Sequence, residues 1–195
     1  GVAGGMSCAA RARRLAEDAE IIVLERGKYV SYANCGLPYY VGGEITDRDA
    51  LLLHTPKTLA RVLDLDVRTE HEAIGIDPVA RTVKVRTPDG EETITYDELV
   101  LAPGAKTFIP NIPGVDDPRV HTLRTVPDAD ALQELVGDAR SAVVIGAGFI
   151  GLETVEALTN RGIAVRIVEL ADHILPPLDA DLAHYLRAEL VNRGV

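Results

Sequence analysis

The sequence predicts an α/β protein built from two successive Rossmann-like units, the first carrying a β-meander. Three observations support this. The stretch "SAVVIGAGFIGLETVEALTNRGIAVRIVEL" passes from a β-branched apolar run through three glycines into a helical pattern and back to a β-branched run. The N-terminal "GVAGGMSCAARARRLAEDAEIIVLE" repeats that order. Between them, residues 67–102 turn β-rich, with short runs separated by turn residues.

Taken in order, the chain opens on a glycine loop, then a helix over residues 6–16 and a strand over 21–24. "GLPYY" starts a further helix, and a short one is expected over residues 57–63. Strands follow at 73–76, 82–86 and 93–95, with "TPDG" at 87–90 as a hairpin turn. "ELVLA" reads as a buried strand ending in "PGA". Residues 108–114, "FIPNIPG", read as a linker and set a boundary between domains 1–113 and 114–195. Beyond it, "PDADALQELV" is helical with Asp128 near its cap, then come the strand 142–145, the second glycine loop, and a last helix over 181–193. The pattern expects a strand before Gly1 and another after Val195, as in an N-terminal fragment of a longer protein.

With 195 residues and 47% hydrophobic content, the chain can bury a core. Thirty acidic against twenty basic residues give a formal charge of −10, which supplies no field for nucleic acid or an anionic membrane surface. The apolar runs are also too short to span a bilayer. Cys8 and Cys35 lack metal-ligand spacing, the five histidines match no base or metal pattern, and no secretory segment is seen. A reducing cytoplasm, free thiols and no metal are therefore expected.

Gly146, Gly148 and Gly151 form GxGxxG between a strand and a helix. The first glycine permits the tight turn, the second lets backbone approach a pyrophosphate, and the third allows close packing of helix on strand. The helix N-terminus presents unpaired N–H groups to the anion. Glu169, eighteen residues after Gly151, ends the next strand. A carboxylate there accepts from both ribose hydroxyls and repels a 2′-phosphate, which favours NADH over NADPH. A glycine-rich turn without a ligand would leave Glu169 unexplained. The first loop retains Gly1, Gly4 and Gly5, an incomplete fingerprint, with Glu25 twenty residues past Gly5. Either two cofactors exchange electrons, most economically nicotinamide and flavin, or one site is vestigial.

Cys35 lies in "SYANCGLPYY", after the cap-forming Asn34 and before Gly36, with Pro38 beside the first turn of a helix. A helix N-terminus stabilises a thiolate, so this is the local setting of a reactive sulfur. Most intracellular cysteines are instead inert small hydrophobes, and on the residues alone both readings stand.

"GVAGGMSCAARARR", "SYANCGLPYY", "YDELVLAPGA", "HTLRTVPDADAL" and "VVIGAGFIGLE" together resemble the single-cysteine branch of the pyridine nucleotide-disulfide oxidoreductases, on the side of the enzymes that reduce coenzyme A disulfide. The resemblance covers essentially the whole chain, with five motifs in the family's order. It implies FAD in the first unit, NAD(P)H in the second, and a homodimer formed through a later domain. It adds Gly104 of "PGA" to the cofactor-binding residues and makes Cys35 the redox centre.

Relatives with a CxxxxC pair use two sulfurs, but the positions five away from Cys35 are Val30 and Tyr40. The single sulfur of this branch stores oxidising equivalents as a mixed disulfide with coenzyme A or as a sulfenic acid. Peroxide-handling relatives carry a histidine in a T-H-A-G-like loop and a serine before the cysteine. Here Val2-Ala3-Gly4-Gly5 and Asn34 stand in those places, which favours disulfide or persulfide chemistry. By the same resemblance Ser31 and Asn34 hydrogen-bond near the sulfur, and Glu153 lies near the flavin. Phe149 matches an aromatic that covers the flavin; a core phenylalanine at a helix start is the other reading. Arg14, and less securely Arg11, match positions that bind coenzyme A phosphates, against the alternative of a solvated helix face. Cys8 reads as a packing residue.

The activity so implied is reduction of coenzyme A disulfide, or a related small disulfide, by NAD(P)H through FAD and Cys35. The alternatives are a coenzyme A persulfide or polysulfide reductase, an NADH oxidase or peroxidase disfavoured by the missing histidine, and a non-catalytic nucleotide-binding fragment.

Overall fold

The computed structural model describes all of residues 1–195. It divides into two compact units, Gly1–Ala33 with Leu52–Lys106, and Asn34–Leu51 with Thr107–Val195. The chain thus changes unit three times, and the cysteine-bearing stretch packs with the second unit rather than with its sequence neighbours. The change after Lys106 precedes the proline-rich linker read from the sequence.

In the first unit, helix α1 spans Gly4–Leu15, two residues earlier than the sequence pattern places it. Its N-cap, Ala3, makes no side-chain capping bond, so the start carries no capping signal in the sequence. Strand β1, Ile22–Glu25, pairs in parallel with β2, Asp66–Thr69, setting Val23 opposite Val67. A parallel pair needs a long crossover, and helix α2 (Pro56–Leu63) lies on the return path. Thr55 and Thr58 cap that helix reciprocally, each side chain accepting from the other's backbone N–H at 3.1 and 2.9 Å, with Pro56 in its first turn. Met6, Ala9, Val23, Val30, Leu59 and Leu65 form the core between these elements.

The meander follows as β3 (Glu72–Asp77), β4 (Thr82–Thr87) and β5 (Gly90–Thr95), all antiparallel. Along β4, Val83 and Val85 are buried, while Lys84 and Arg86 reach across to Glu91 and Glu72. This is the alternation of a sheet with one covered face. Thr87 pairs with Gly90 across the turn, and Gly90 adopts φ +141°, which a side chain would strain.

The expected strand "ELVLA" does not form. No helix or strand lies between Thr95 and Val126, and Val100 and Leu101 are 63% and 68% exposed. No neighbouring strand bonds to this run, and an apolar run with no ladder partner has no reason to become a strand. Its end still packs: Ala102 lies 3.7 and 3.6 Å from where Cβ atoms would sit on Gly4 and Gly5.

The second unit begins with a 3₁₀ turn, Asn34–Gly36, that runs into helix α3, Leu37–Gly42. Leu37, Tyr40 and Val41 are buried at i, i+3 and i+4, one face of a helix. Gly43, at φ +85°, ends it. Helix α4, Val126–Val136, is capped by Thr125 and Asp128: the Asp128 carboxylate accepts from the Thr125 N–H at 2.9 Å. Strand β6 (Ser141–Ile145), helix α5 (Phe149–Asn160) and strand β7 (Ala164–Val168) make a parallel unit, and helix α6 spans Ala180–Asn192. Helix α3 packs on α5 and α4. A Cβ on Gly42 would come 3.2 Å from Ala157, so the glycine sets how closely α3 and α5 approach. Arg161 seals the contact, donating to the Val41 carbonyl at 3.2 Å and to Gln133 Oε1 at 2.7 Å. No helix is long and apolar enough to cross a membrane.

Arg13 ties two helix ends of the first unit together. Its guanidinium donates to the carbonyls of Ala16 and Glu17 past α1, and of Leu63 and Asp64 at the end of α2, at 2.6–3.2 Å. A cation there satisfies carbonyls that neither helix can pair internally. Arg13→Met should keep the stem and lose these bonds, lowering unfolding free energy by about 1.5–3 kcal/mol in a denaturant titration of the whole protein.

Candidate functional site

The second glycine loop has the geometry of an anion cradle. Gly146 sits at φ +97°, and its N–H donates to the Val168 carbonyl at 2.8 Å, locking the turn to the end of β7. A Cβ on Gly151 would lie 2.0 Å from the Gly146 carbonyl oxygen, so only hydrogen fits without a shift of backbone. A Cβ on Gly148 would meet nothing within 4 Å, which leaves open space before α5. Gly148 is the N-cap of α5 and offers no capping side chain, and the first turn contains no acid. The opening N–H groups of α5 are therefore left for a ligand, at the positive end of a twelve-residue helix.

Glu169 closes the turn. One carboxylate oxygen accepts the Ala147 N–H at 2.5 Å and the other the Ala171 N–H at 2.9 Å. The backbone N–H groups of Ala171 and Ala147 hold its pKa below the ordinary 4.5, so it is ionised at neutral pH. Each oxygen keeps a lone pair for a further donor.

The first unit repeats this arrangement. Glu25 accepts the Gly27 N–H at 2.7 Å on one oxygen, and its other oxygen lies 3.1 Å from the nitrogen of Gly1. A Cβ on Gly1 would come 2.6 Å from that oxygen, so a side chain there would displace the carboxylate. Val2 is held at φ +51° with its N–H on the Val30 carbonyl at 2.8 Å, a left-handed conformation costly for a β-branched residue. Helix α1 likewise starts with no capping side chain and no acid in its first turn. Both loops accordingly fit the pyrophosphate of a dinucleotide.

Cys35 is an exposed free thiol in the turn before α3. Beside it the Asn34 Oδ1 is buried with no hydrogen-bond partner, an acceptor in want of a donor. Gly36, Leu37 and Pro38 are buried behind the sulfur. Ser31 is half-buried in the first unit, its carbonyl accepting the Leu53 N–H at 3.1 Å. Tyr40, five residues past Cys35, is 8% exposed. The charge of Asp130 in α4 acts on its phenol, and that carboxylate takes a two-pronged bond from Arg48 at 2.8 and 2.7 Å.

Of the other residues singled out by sequence, Phe149 is 64% exposed as the first residue of α5. Glu153 is half-buried on α5, and Gly104 is exposed at φ +70°. Arg11 and Arg14 are exposed on α1, in contrast to the engaged Arg13. Sequence reading missed the donors of Gly27, Ala147 and Ala171, since a backbone N–H leaves no trace in residue type. It also missed the Tyr40, Arg48 and Asp130 cluster, whose members lie up to 90 positions apart. No group of His, Cys, Asp or Glu is placed to hold a metal.

Paired glycine loop–helix–strand units with strand-end glutamates, the second preceded by its own strand, define a Rossmann-like protein of the two-nucleotide class. The chain belongs to the pyridine nucleotide-disulphide oxidoreductase family, which it matches over residues 1–195. It is 36% identical over 198 aligned residues to a coenzyme A disulfide reductase of Staphylococcus haemolyticus, covering all of this chain and 44% of that protein. It is also 36% identical, over 99% of its length, to an NADH oxidase of Methanocaldococcus jannaschii, again 44% of the relative. The chain thus spans less than half the length of these curated relatives.

Among solved structures it resembles reduced Bacillus anthracis CoADR-RHD (44% identity, TM-score 0.97, all of this chain and 36% of that one). It also resembles an NAD-dependent persulfide reductase from A. fulgidus (40%, 0.96, all of this chain and 38% of that one). A third match is TPNOX, an engineered water-forming NADPH oxidase bound to NADPH, a mutant of LbNOX (31%, 0.93, 98% of this chain and 43% of that one).

Glu169→Gln should lose a charged acceptor in the second loop and weaken NADH binding on the order of tenfold in a calorimetric titration at pH 7. A carboxylate with a depressed pKa contributes above its unfolded value and loses that contribution as pH falls through the folded one. The gap in melting temperature between wild type and Glu169→Gln should hold from pH 8 to pH 5 and close below 4.5.

Proposed function

We propose that the whole protein is an FAD-dependent disulfide reductase that oxidises NADH and acts on coenzyme A disulfide, or a closely related small disulfide, through Cys35. The observation that carries this is the exposed lone thiol of Cys35. The positions five away, where a second sulfur would close an internal disulfide, are Val30 and Tyr40, both buried, and Cys8 lies half-buried on α1 in the other unit. A single thiol exchanges with its substrate's sulfur rather than with a neighbour. FAD, when bound, supplies a two-electron carrier between a nicotinamide and that sulfur.

In this reading each residue has a task. The uncapped starts of α1 and α5 take the two pyrophosphates, with Gly1, Gly4, Gly5 and Gly104 on the FAD side and Gly146, Gly148 and Gly151 on the nicotinamide side. Glu25 and Glu169 keep their turns in shape and accept from ribose hydroxyls. The exposed ring of Phe149 is free to cover a planar ring, and Glu153 lies one turn further on. Arg11 and Arg14 offer cations to coenzyme A phosphates, the orphan oxygen of Asn34 accepts from a ligand or thiol donor, and Ser31 offers a hydroxyl. The Cys35 thiolate attacks one sulfur of the disulfide, forming a mixed disulfide and releasing the first coenzyme A thiol. Two electrons and a proton returned to the mixed disulfide release the second and restore the thiolate. A homodimer working in the reducing cytoplasm belongs to the same reading.

The match to TPNOX supports NADH as the donor. That enzyme carries substitutions at a glycine, at an aspartate eighteen residues on with the two residues after it, and at a proline seven past the aspartate. At the same spacing this chain has Gly151, Glu169, Leu170, Ala171 and Pro176. Replacing Glu169 by alanine together with Leu170→Arg and Pro176→Arg should reverse the preference from NADH to NADPH in kcat/KM, and an unchanged preference would count against Glu169 as the selector.

Persulfide reduction is the second reading, favoured by the 40% identity to the persulfide reductase. Steady-state turnover of the full-length protein with coenzyme A disulfide, coenzyme A persulfide and peroxide separates the readings. NADH oxidation driven fastest by peroxide would overturn both. Cys35→Ser should abolish turnover of either sulfur substrate while leaving NADH-dependent ferricyanide reduction, which bypasses the thiol, in place.

A further inference from the structure

The motif "HTLRTVPDADAL" marks α4, yet nothing in the nucleotide loops uses it. Asp128 is accounted for as half of the helix cap. Asp130 is not. Its carboxylate receives the Arg48 guanidinium through both prongs, Nε to Oδ1 at 2.8 Å and Nη2 to Oδ2 at 2.7 Å, and its charge acts on the buried Tyr40 phenol. Tyr40 lies in α3, which packs on α4, and Arg48 in the 3₁₀ turn Arg48–Leu51 that closes the same stretch. One carboxylate of α4 therefore holds the segment 34–51 at its end and faces its middle.

The segment needs such a grip. Helix α3 has only six residues and the turn carrying Cys35 three, too few to hold a position by their own backbone bonds. Apolar contact through Leu37 and Val41 brings α3 onto its neighbours but is non-directional and tolerates rotation. A two-pronged guanidinium–carboxylate bond is directional in the plane of both groups. Tyr40 is one helical turn from Gly36, so the rotation that buries its ring against α4 also sets where the residue before Gly36, Cys35, projects. Burial, then the negative charge of Asp130, raise the Tyr40 phenol above its ordinary value of 10.0, while Arg48 pulls the other way. Tyr40 stays protonated. Asp49 and Glu134 are the other charged groups that face the cluster.

We propose that Asp130, with Tyr40 and Arg48, is a positioning cluster for the thiol of Cys35, orienting the sulfur for electron delivery without touching it. The proposal rests on the reading of Cys35 as the redox thiol. A displacement of about 1 Å at a reacting atom can cost on the order of a hundredfold in rate, so a loosened grip should be visible in kinetics.

The test uses the full-length holoenzyme. Cys35 is converted to a mixed disulfide with 4,4′-dithiodipyridine, its occupancy measured by mass spectrometry of the Cys35 peptide, and NADH is added to release thiopyridone in a single turnover. NADH and a proton yield NAD+, the Cys35 thiol and thiopyridone. Relative to wild type, Asp130→Ala should slow thiopyridone release on the order of tenfold or more. Ferricyanide reduction and the KM for NADH should stay within about twofold, as should the rate at which Cys35 is first labelled, because thiol and nucleotide sites are intact and only their alignment has changed. Tyr40→Phe, a milder change that keeps the packing, should lie between the two. Arg48→Lys should not match wild type, because lysine lacks the fork.

Release at the wild-type rate in both Asp130→Ala and Tyr40→Phe would overturn the positioning role. So would a parallel fall in ferricyanide reduction, which would mark the cluster as merely structural. If the wild-type protein itself releases no thiopyridone on adding NADH, the reading of Cys35 fails first and takes this proposal with it.

Discussion

Each unit of this protein depends on one carboxylate pinned across a glycine turn. Glu25 and Glu169 stand at the ends of equivalent strands. Each takes a backbone N–H from the residue two further on, with its other oxygen on a nitrogen of the glycine loop. In the second unit the bond joins the end of β7 to the turn that leaves β6, and in the first it joins the end of β1 to the turn before α1. The helix that follows can leave its first N–H groups unsatisfied, because the clasp holds the turn without help from capping side chains. Glycine follows as a requirement: a Cβ on Gly1 would push into Glu25, and one on Gly151 into the Gly146 carbonyl.

The two copies are not equal. The second has the full set of glycines and a relaxed, open Gly148, whereas the first places Val2 in left-handed backbone and binds its N–H to Val30. Strain of this kind persists only where the surroundings impose it, and here it sits at the entry to α1. The duplication thus conserves the clasp and varies the loop.

The thiol segment obeys a different constraint. It joins two stretches of the first unit by sequence but packs with the second, because its short helix finds there an apolar seat against Ala157 and its closing turn a polar anchor in Asp130. Gly42 makes the seat close and Arg161 closes it from the far side. The turn that carries Cys35 is thereby built into the unit that holds the second glycine loop.

Much of this was legible in residue order. Period and punctuation located most of the helices and strands to within a few positions, though not β2, the glycine spacings marked both loops, and Glu25 and Glu169 announced themselves as lone carboxylates at strand ends. Cys35 could be named as a candidate from its flanking Asn34, Gly36 and Pro38. These are local features, set by backbone preference and by what a turn will admit. Only the tertiary structure decided that "ELVLA" stays out of a sheet, that Arg13 is engaged while Arg11 and Arg14 are exposed, and that the thiol segment belongs with the second unit. Each of those outcomes depends on which distant group supplies a hydrogen-bond partner or a buried face, and a one-dimensional pattern carries no record of that choice.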